Sequence, residues 1–269
     1  MAGLALYGVI GNPIAHSLSP VMHNAAFKEL DLEAYFTAFQ VADLKAALTG
    51  VRALGIAGLS VTLPHKTEII PYLDWVDASA QAIAAVNTVV NRQGQLCGYN
   101  TDATGALAAL QAKVTLAGRR VLVVGAGGAA RALVYGLVKA GAQVAIVNRT
   151  PVRGLALAEA FAVQYLNFSE SKDFEAEILV NTTSLGMTPA SDQLAVPEAL
   201  LVSPRVVMDI VYNPLHTRLL AAAQAKGAQI IDGLEMFIGQ GALQFTLWTG
   251  QTAPLAVMRQ AVLKQLSGT

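Results

Sequence analysis

A single cysteine, Cys97, stands in a chain of 269 residues. One thiol cannot close an internal disulfide, and such sparing use fits a reducing compartment, so the expected location is the cytoplasm. No base neighbours Cys97 in sequence, and it reads as a small buried hydrophobe rather than a nucleophile. Charge is scarce too: 13% of residues are charged, with 18 Lys and Arg against 18 Asp and Glu. A neutral, charge-poor chain offers no broad field to nucleic acid or to an anionic membrane, and neither is expected as a partner. Apolar residues make up 54% of the chain, yet Arg, Lys or Asp interrupts each long apolar run before it could span a bilayer. The opening MAGLALYGVIGNP lacks a basic segment and runs straight into strand-like sequence, so no signal peptide is expected. Of the four histidines no pair has ligand spacing, and with one cysteine no metal site is expected. His16 and His65 flank polar motifs and are expected at solvent, His23 reads as a helix-face residue, and His216 as a cap or surface group.

What is present is an alternation of strand-like and helix-like runs. Leu4–Ile10 precedes Pro20–Leu30, Tyr35–Gln40 precedes Leu44–Leu54, and Leu59–Leu63 precedes a helical stretch through about Ala84. Such a rhythm predicts an α/β fold with largely parallel strands. Val86–Asn91 and Leu96–Tyr99 flank Arg92-Gln93-Gly94-Gln95 and read as a hairpin, after which a helix runs from Thr104 with Asp102 near its start. Later strand candidates are Ile178–Asn181, Val206–Ile210 and Gln229–Ile231, and beyond Gly233 the chain reads as helix. A complete α/β region precedes residue 120, so two domains are expected: residues 1–103 completed by 236–269, and a Rossmann-type domain over 104–235. The last helices are expected to pack back on the first domain.

Val121–Arg131, VLVVGAGGAAR, is a buried strand running into a glycine turn and a helix. This is how a chain holds a pyrophosphate: Gly125 allows the tight turn, Gly127 lets backbone approach the phosphates, and Ala130 keeps helix and sheet close. The helix N-terminus presents unpaired N–H groups to the anion. The next strand candidate, Val144–Val147, ends in Asn148-Arg149-Thr150, where an NAD-specific protein carries an acid for the ribose 2′-hydroxyl. No acid is there. Arg149, with Arg153 one helical turn on, suits a 2′-phosphate, and NADP is the expected cofactor. The same two arginines also fit an ordinary solvated helix start.

Three motifs of the first region do not read as scaffold. Ser17-Leu18-Ser19-Pro20 sets two hydroxyls at a helix start, either a carboxylate cradle or a plain N-cap. The run Ser60-Val61-Thr62-Leu63-Pro64-His65-Lys66 delivers a lysine from a strand end, and Asn100-Thr101-Asp102 delivers an aspartate. Together these could supply the proton that reduction of a ketone requires. Separately they are a surface lysine and a helix cap.

SLSP, VTLPHK, AVNTV, NTD, GAGGAAR, NRT, NTTSLGM, DIVYNPLHT and GLEMFIGQGA follow one another over nearly the whole chain. In that order they resemble the shikimate dehydrogenase family, with the quinate/shikimate dehydrogenases as close relatives. The resemblance implies reversible reduction of 3-dehydroshikimate to shikimate with NADPH, a step of aromatic amino acid biosynthesis. It implies that Ser17 and Ser19 bind the substrate carboxylate, with Tyr212 close by. Thr62, Asn87 and Asp102 would hydrogen-bond the ring hydroxyls, Lys66 with Asp102 would form the catalytic acid–base pair, and Gln240 would add a contact from the late helix. Gly125, Ala126, Gly127, Gly128, Ala129, Asn148, Arg149, Thr150, Arg153, Ile210 and Gly233 fall at cofactor-contacting positions, with Met236 beside the nicotinamide. The chain departs from the pattern at Ser60, where many members carry Asn. Serine offers one hydroxyl in place of an amide's two donors and an acceptor, which leaves this substrate-binding position and the choice between shikimate and quinate open. A two-lobed dehydrogenase acting on a folate or an amino acid would share the glycine fingerprint but not SLSP or NTD. A monomer or a homodimer fits equally.

Overall fold

The computed structural model describes residues 4–268. The chain divides into two compact units, one holding the residues up to Thr101 together with those from Ile238 onward, the other Asp102–Phe237. The α/β architecture expected from the alternation is the one adopted.

In the first unit β1 (Ala5–Gly11), β2 (Ala34–Gln40) and β3 (Gly58–Val61) run parallel with β1 in the middle. The crossovers are α1 (Ser19–Glu29) and α2 (Leu44–Leu54). Local chemistry sets the bounds of α2: the Asp43 carboxylate accepts the Ala46 N–H at 3.0 Å, and Gly55 closes the helix at φ 64°. Helix α1 is pinned to β2 by Asn24, which donates to the Phe36 carbonyl at 2.9 Å and accepts the Phe36 N–H at 2.8 Å.

The helical stretch expected through Ala84 is not continuous. Pro64 and Pro71 each remove an N–H that a helix would use, and the segment forms turns, a two-residue strand β4 (Trp75–Val76) and the short α3 (Ala78–Ile83). The Asp74 carboxylate anchors the start of β4 by accepting from Leu96 N–H at 2.7 Å and from Arg52 at 2.8 Å, and these two donors, the backbone one foremost, hold its pKa below the ordinary range. The hairpin is present as β5 (Thr88–Arg92) and β6 (Gln95–Tyr99), with Gln93 and Gly94 both at positive φ as a two-residue primed turn requires. The full order is β2-β1-β3-β5-β6-β4, with β5 antiparallel to both neighbours and β4 parallel to β6. Cys97 is a buried residue of β6.

The second unit opens with α4 (Asp102–Gln111), two residues earlier than the Thr104 start expected, followed by β7 (Arg120–Val124), α5 (Gly128–Lys139), β8 (Gln143–Val147), α6 (Pro151–Ala160) and β9 (Gln164–Tyr165). Then come β10 (Ile178–Asn181), β11 (Val206–Asp209), α7 (Arg218–Ala225) and β12 (Gln229–Ile231). All six strands are parallel in the order β12-β11-β10-β7-β8-β9. Counted within the unit this is the 3-2-1-4-5-6 order of a dinucleotide-binding fold, whose switch point lies between its first and fourth strands, here β7 and β10. Val121 and Val123 belong to one apolar cluster and Leu122 and Val124 to another, so the sheet is buried on both faces, as parallel sheets are.

Helix α8 (Gly233–Thr249) begins in the second unit, and from Ile238 it belongs to the first, as does α9 (Leu255–Ser267), which packs against α1. Trp248 of α8 crosses β3 where Gly58 has no Cβ to obstruct it, and its indole N–H donates to the Val89 carbonyl at 3.0 Å. Among the described residues no helix is long and apolar enough to cross a membrane, and no group of three or more His, Cys, Asp or Glu could hold a metal ion.

Candidate active site

The polar residues of the first unit converge on the end of β3 and the start of β5. Thr62 donates its N–H to the Ile10 carbonyl at 3.0 Å, carrying the loop after β3 past Gly11, where a Cβ would press on the Thr62 methyl. Lys66 is half-buried on that loop, and its carbonyl accepts the Val86 N–H at 2.8 Å. The loop that bears the lysine is thus tied one residue away from Asn87. Asn87 is 1% exposed, and its Oδ1 accepts the Thr101 N–H at 2.8 Å, which fixes the backbone one residue before Asp102. Asp102 is buried as the first residue of α4. Asn100 donates to the Ala85 carbonyl at 2.9 Å and ties this strand end to the same segment. Gln240 approaches from α8, with Oε1 3.4 Å from the Asn87 Nδ2.

The serine motif resolves one ambiguity. The residue preceding α1 is Leu18, Ser19 is already helical, and Pro20 is its second residue. Ser19 is therefore not an N-cap. Its N–H instead donates to the Ser17 Oγ at 3.3 Å, a turn that brings the two hydroxyl-bearing residues together. Ser60 faces inward: it is 6% exposed and its hydroxyl donates to Gln244 Oε1 at 2.7 Å.

His65 is placed differently from expectation, and His23 lies on a helix face as expected, the buried face of α1. His65 is 3% exposed rather than at solvent, because its Nε2 donates to the Val41 carbonyl at 3.0 Å beneath the loop. His23 is fully buried among Phe36, Phe27 and Trp248, stacked on Phe36 at 4.6 Å between centroids, and neither ring nitrogen has a hydrogen-bond partner. Burial lowers its pKa to about 3, with the nearby Gln244 amide opposing weakly.

In the second unit, the glycine turn sits at the β7/β10 switch point. Gly125 adopts φ 114°, and Thr182 at the end of β10 closes over it by donating its hydroxyl to the Val124 carbonyl at 2.6 Å. Gly127 is the N-cap of α5 and brings no side chain to the helix end. A Cβ at Gly127 would meet no heavy atom within 4 Å, so packing within the protein does not demand glycine there, whereas close approach of a ligand would. Gly128 is buried, and Ala126 and Ala129 are half-buried in the same turn. After β8 the Asn148 amide donates to the Thr150 carbonyl at 2.8 Å, shaping a turn that leaves Arg149, and Arg153 on α6, exposed.

Asp209 ends β11 fully buried, and burial pushes its carboxyl up to about 6 against the hydrogen bonds of Thr217, Val211 and Asn181. The next residues are Ile210, partly buried against the core, and Tyr212, which stacks on Phe237 at 4.3 Å. Gly233 lies so close to the Ile210 and Val211 carbonyls that a Cβ would collide with both. Met236 is 6% exposed and belongs to the apolar core of this unit. Gln244, which with Thr88 joins Ser60 to Asn87, lies outside the motifs singled out from the sequence, and Thr88 falls within AVNTV but was given no role there; a glutamine four residues after Gln240 in a largely apolar helix was the available signal.

A parallel 3-2-1-4-5-6 sheet with a glycine turn at its switch point, paired with a second α/β unit rich in buried polar groups, defines a two-unit nucleotide-dependent oxidoreductase. Three family models match: the shikimate dehydrogenase substrate binding domain over residues 9–89, shikimate / quinate 5-dehydrogenase over 106–213, and the shikimate 5'-dehydrogenase C-terminal domain over 233–263. The shikimate dehydrogenase (NADP(+)) of Pyrococcus abyssi is 44% identical over 265 residues, covering 98% of this chain and 99% of its own. That of Thermococcus kodakarensis is 47% identical over 269 residues, with 97% of each chain covered. The crystal structure of shikimate 5-dehydrogenase from Thermus thermophilus in complex with NADP(H) and shikimate superposes with a TM-score of 0.88 at 42% identity, covering 97% of this chain and 99% of that one. The chain belongs to the shikimate dehydrogenase family.

Proposed function

We propose that this chain interconverts 3-dehydroshikimate and shikimate in the cytoplasm with NADP as cofactor, and that Lys66 and Asp102 are its acid–base residues. The observation that carries the assignment of roles is the position of Asn87. It lies one residue from the anchor of the Lys66 loop, and it holds the backbone one residue before Asp102. When bound, the reduced nicotinamide supplies hydride to the ketone carbon. As negative charge builds on the ketone oxygen, the Lys66 ammonium stabilises it and donates the proton. Asp102 accepts from a ring hydroxyl and orients Lys66, while Thr62, Asn87 and Gln240 hold the remaining hydroxyls. Ser17 and Ser19 offer hydroxyls to the carboxylate, with Tyr212 beside it.

For the cofactor, the Gly125–Ala129 turn and the N-terminus of α5 hold the pyrophosphate, with Ile210, Gly233 and Met236 nearer the nicotinamide. Asn148, Arg149, Thr150 and Arg153 take the 2′-phosphate, and the turn after β8 carries no acid that would repel it.

Absorbance at 340 nm tests the reading: shikimate with NADP⁺ should give a steady rise, and no rise under any cofactor condition would end it. In the same assay Arg149→Ala should weaken NADP⁺ by roughly 10- to 100-fold, the worth of one charge-assisted hydrogen bond set, and leave NAD⁺ almost unchanged. Equal loss for both cofactors would show that Arg149 does not read the phosphate.

A further inference from the structure

Among the described residues no cation acts on the buried carboxylate of Asp209 at the end of β11. Its partners are all neutral donors: the Asn181 amide at 2.9 Å and the Val211 N–H at 3.1 Å on Oδ1, and the Thr217 hydroxyl at 2.7 Å on Oδ2. An apolar side chain would serve packing better, because a carboxylate gives up its hydration when buried. What this one grips is therefore informative. Asn181 is also fully buried and ends β10, the strand paired with β7 at the switch point. Its Oδ1 accepts both the N–H of Thr183 at 3.0 Å and the hydroxyl at 2.7 Å, and the Thr183 Oγ1 in turn accepts the Leu185 N–H at 3.2 Å. The Thr183 N–H alone dictates which end of the amide faces this turn. The other end is held by Asp209, since the Leu185 carbonyl is 3.5 Å away and a much weaker acceptor. The turn so built borders the glycine turn after β7: a Cβ on Gly125 would lie 2.5 Å from the Thr182 Oγ1 and 3.1 Å from the Thr183 methyl.

We infer that Asp209 and Asn181 are positioning residues for the cofactor: the carboxylate tethers the Asn181 amide, and the amide holds residues 182–185 as the wall against which the glycine turn is set. The inference rests on the role proposed above for the Gly125–Ala129 turn in holding the pyrophosphate. Backbone ties the same pieces together, because the Asn181 carbonyl accepts the Ile210 N–H at 3.1 Å and the Thr182 N–H donates to the Val124 carbonyl at 2.9 Å. Those bonds fix the strand ends. The side-chain tether is what fixes the turn beyond them.

Asn181→Asp tests the tether, with the dissociation constants of NADPH and NADH read from nicotinamide fluorescence and the unaltered chain alongside. The variant keeps the shape and the acceptor for Thr183, but it sets a second carboxyl against Asp209. Two carboxylates so close cannot both ionise; while they share a proton the bond between them persists, and once the proton leaves they repel. Burial already pushes the Asp209 carboxyl up to about 6, and the second carboxyl raises the release of the shared proton further. Relative to the unaltered chain, Asn181→Asp should therefore bind NADPH normally at about pH 6 and roughly tenfold more weakly at about pH 9. NADH should weaken by the same factor, because the glycine turn holds the pyrophosphate that both cofactors carry. A loss confined to NADPH would place the effect at the 2′-phosphate and overturn the inference. Normal binding at both pH values would overturn it too, as would a loss of equal size at both, since only the bond to Asp209 changes with the proton. A merely structural role would lower the urea midpoint and leave binding by the folded protein unchanged. Should Asn181→Asp not fold at the higher pH, Asn181→Ser, too short to reach Asp209, is expected to weaken both cofactors at either pH, and normal binding there would be equally fatal. An unaltered chain that binds neither cofactor would end the cofactor reading and the inference with it, whereas a normal constant confined to the variants ends the inference alone.

Discussion

Replacing Lys66 with alanine is expected to lower kcat by about 10²- to 10⁴-fold, the usual worth of a positioned general acid, with the shikimate KM changed only a few-fold. The structure makes this a clean experiment. The Lys66 loop is held by backbone, through the bond from Val86 N–H to the Lys66 carbonyl, and by the buried His65 ring beneath it. Truncating the lysine side chain disturbs neither, so the loss reports chemistry rather than loop collapse. Equal falls in kcat and kcat/KM are the mark of an interaction made only in the transition state. Lys66→Arg separates charge from proton transfer, because a guanidinium stays protonated in proteins. It should remain far below the unaltered rate despite keeping the positive charge. Near-normal turnover in Lys66→Ala would remove the lysine from the mechanism, and near-normal turnover in Lys66→Arg would reduce its part to electrostatics.

Acid should destabilise the first unit through His23. Its folded pKa of about 3 lies well below the ordinary 6.5 because burial among Phe27, Phe36 and Trp248 penalises the imidazolium. The folded state keeps the ring neutral while the unfolded chain takes up a proton below 6.5. Stability is therefore fully present above 6.5 and is lost as pH falls toward 3, by up to about 1.4 kcal/mol per pH unit. Between pH 6.5 and 4 the loss from this one group amounts to roughly 3 kcal/mol, a large share of the ~5–15 kcal/mol that holds a typical fold. Urea midpoints measured across that range should fall steeply for the unaltered chain. His23→Phe keeps an aromatic ring against Phe36 and has nothing to protonate, and its midpoint should fall much less. Parallel declines in the two proteins would assign the acid sensitivity to other groups.

The elements that were legible in the sequence are those whose cause is local. The turn at Gln93-Gly94 needs only two residues that accept positive φ, and the glycine turn after β7 needs an apolar strand, Gly125 and Gly127 in succession. The helical reading through Ala84 failed for a nonlocal reason. The two residues of β4 are a strand only because Asp74 is gripped by Leu96 and Arg52, and Trp75 pairs with Cys97. Ser19 looked like a cap until the backbone placed it inside α1.

From the sequence alone came the class of fold, the nucleotide turn, the arginines that point to a phosphorylated cofactor, and the family resemblance that nominated Lys66 and Asp102. Each is carried by residue types at fixed short spacings, which is what local backbone preference and ligand chemistry can write into a chain. Tertiary structure alone decided that His23 loses its water, that Ser60 turns inward to a glutamine 184 positions away, and that the Asn87 amide oxygen takes the Thr101 N–H. Those outcomes depend on which groups the folded sheet and α8 bring within hydrogen-bond reach, and on the cost of leaving any of them unpaired away from water.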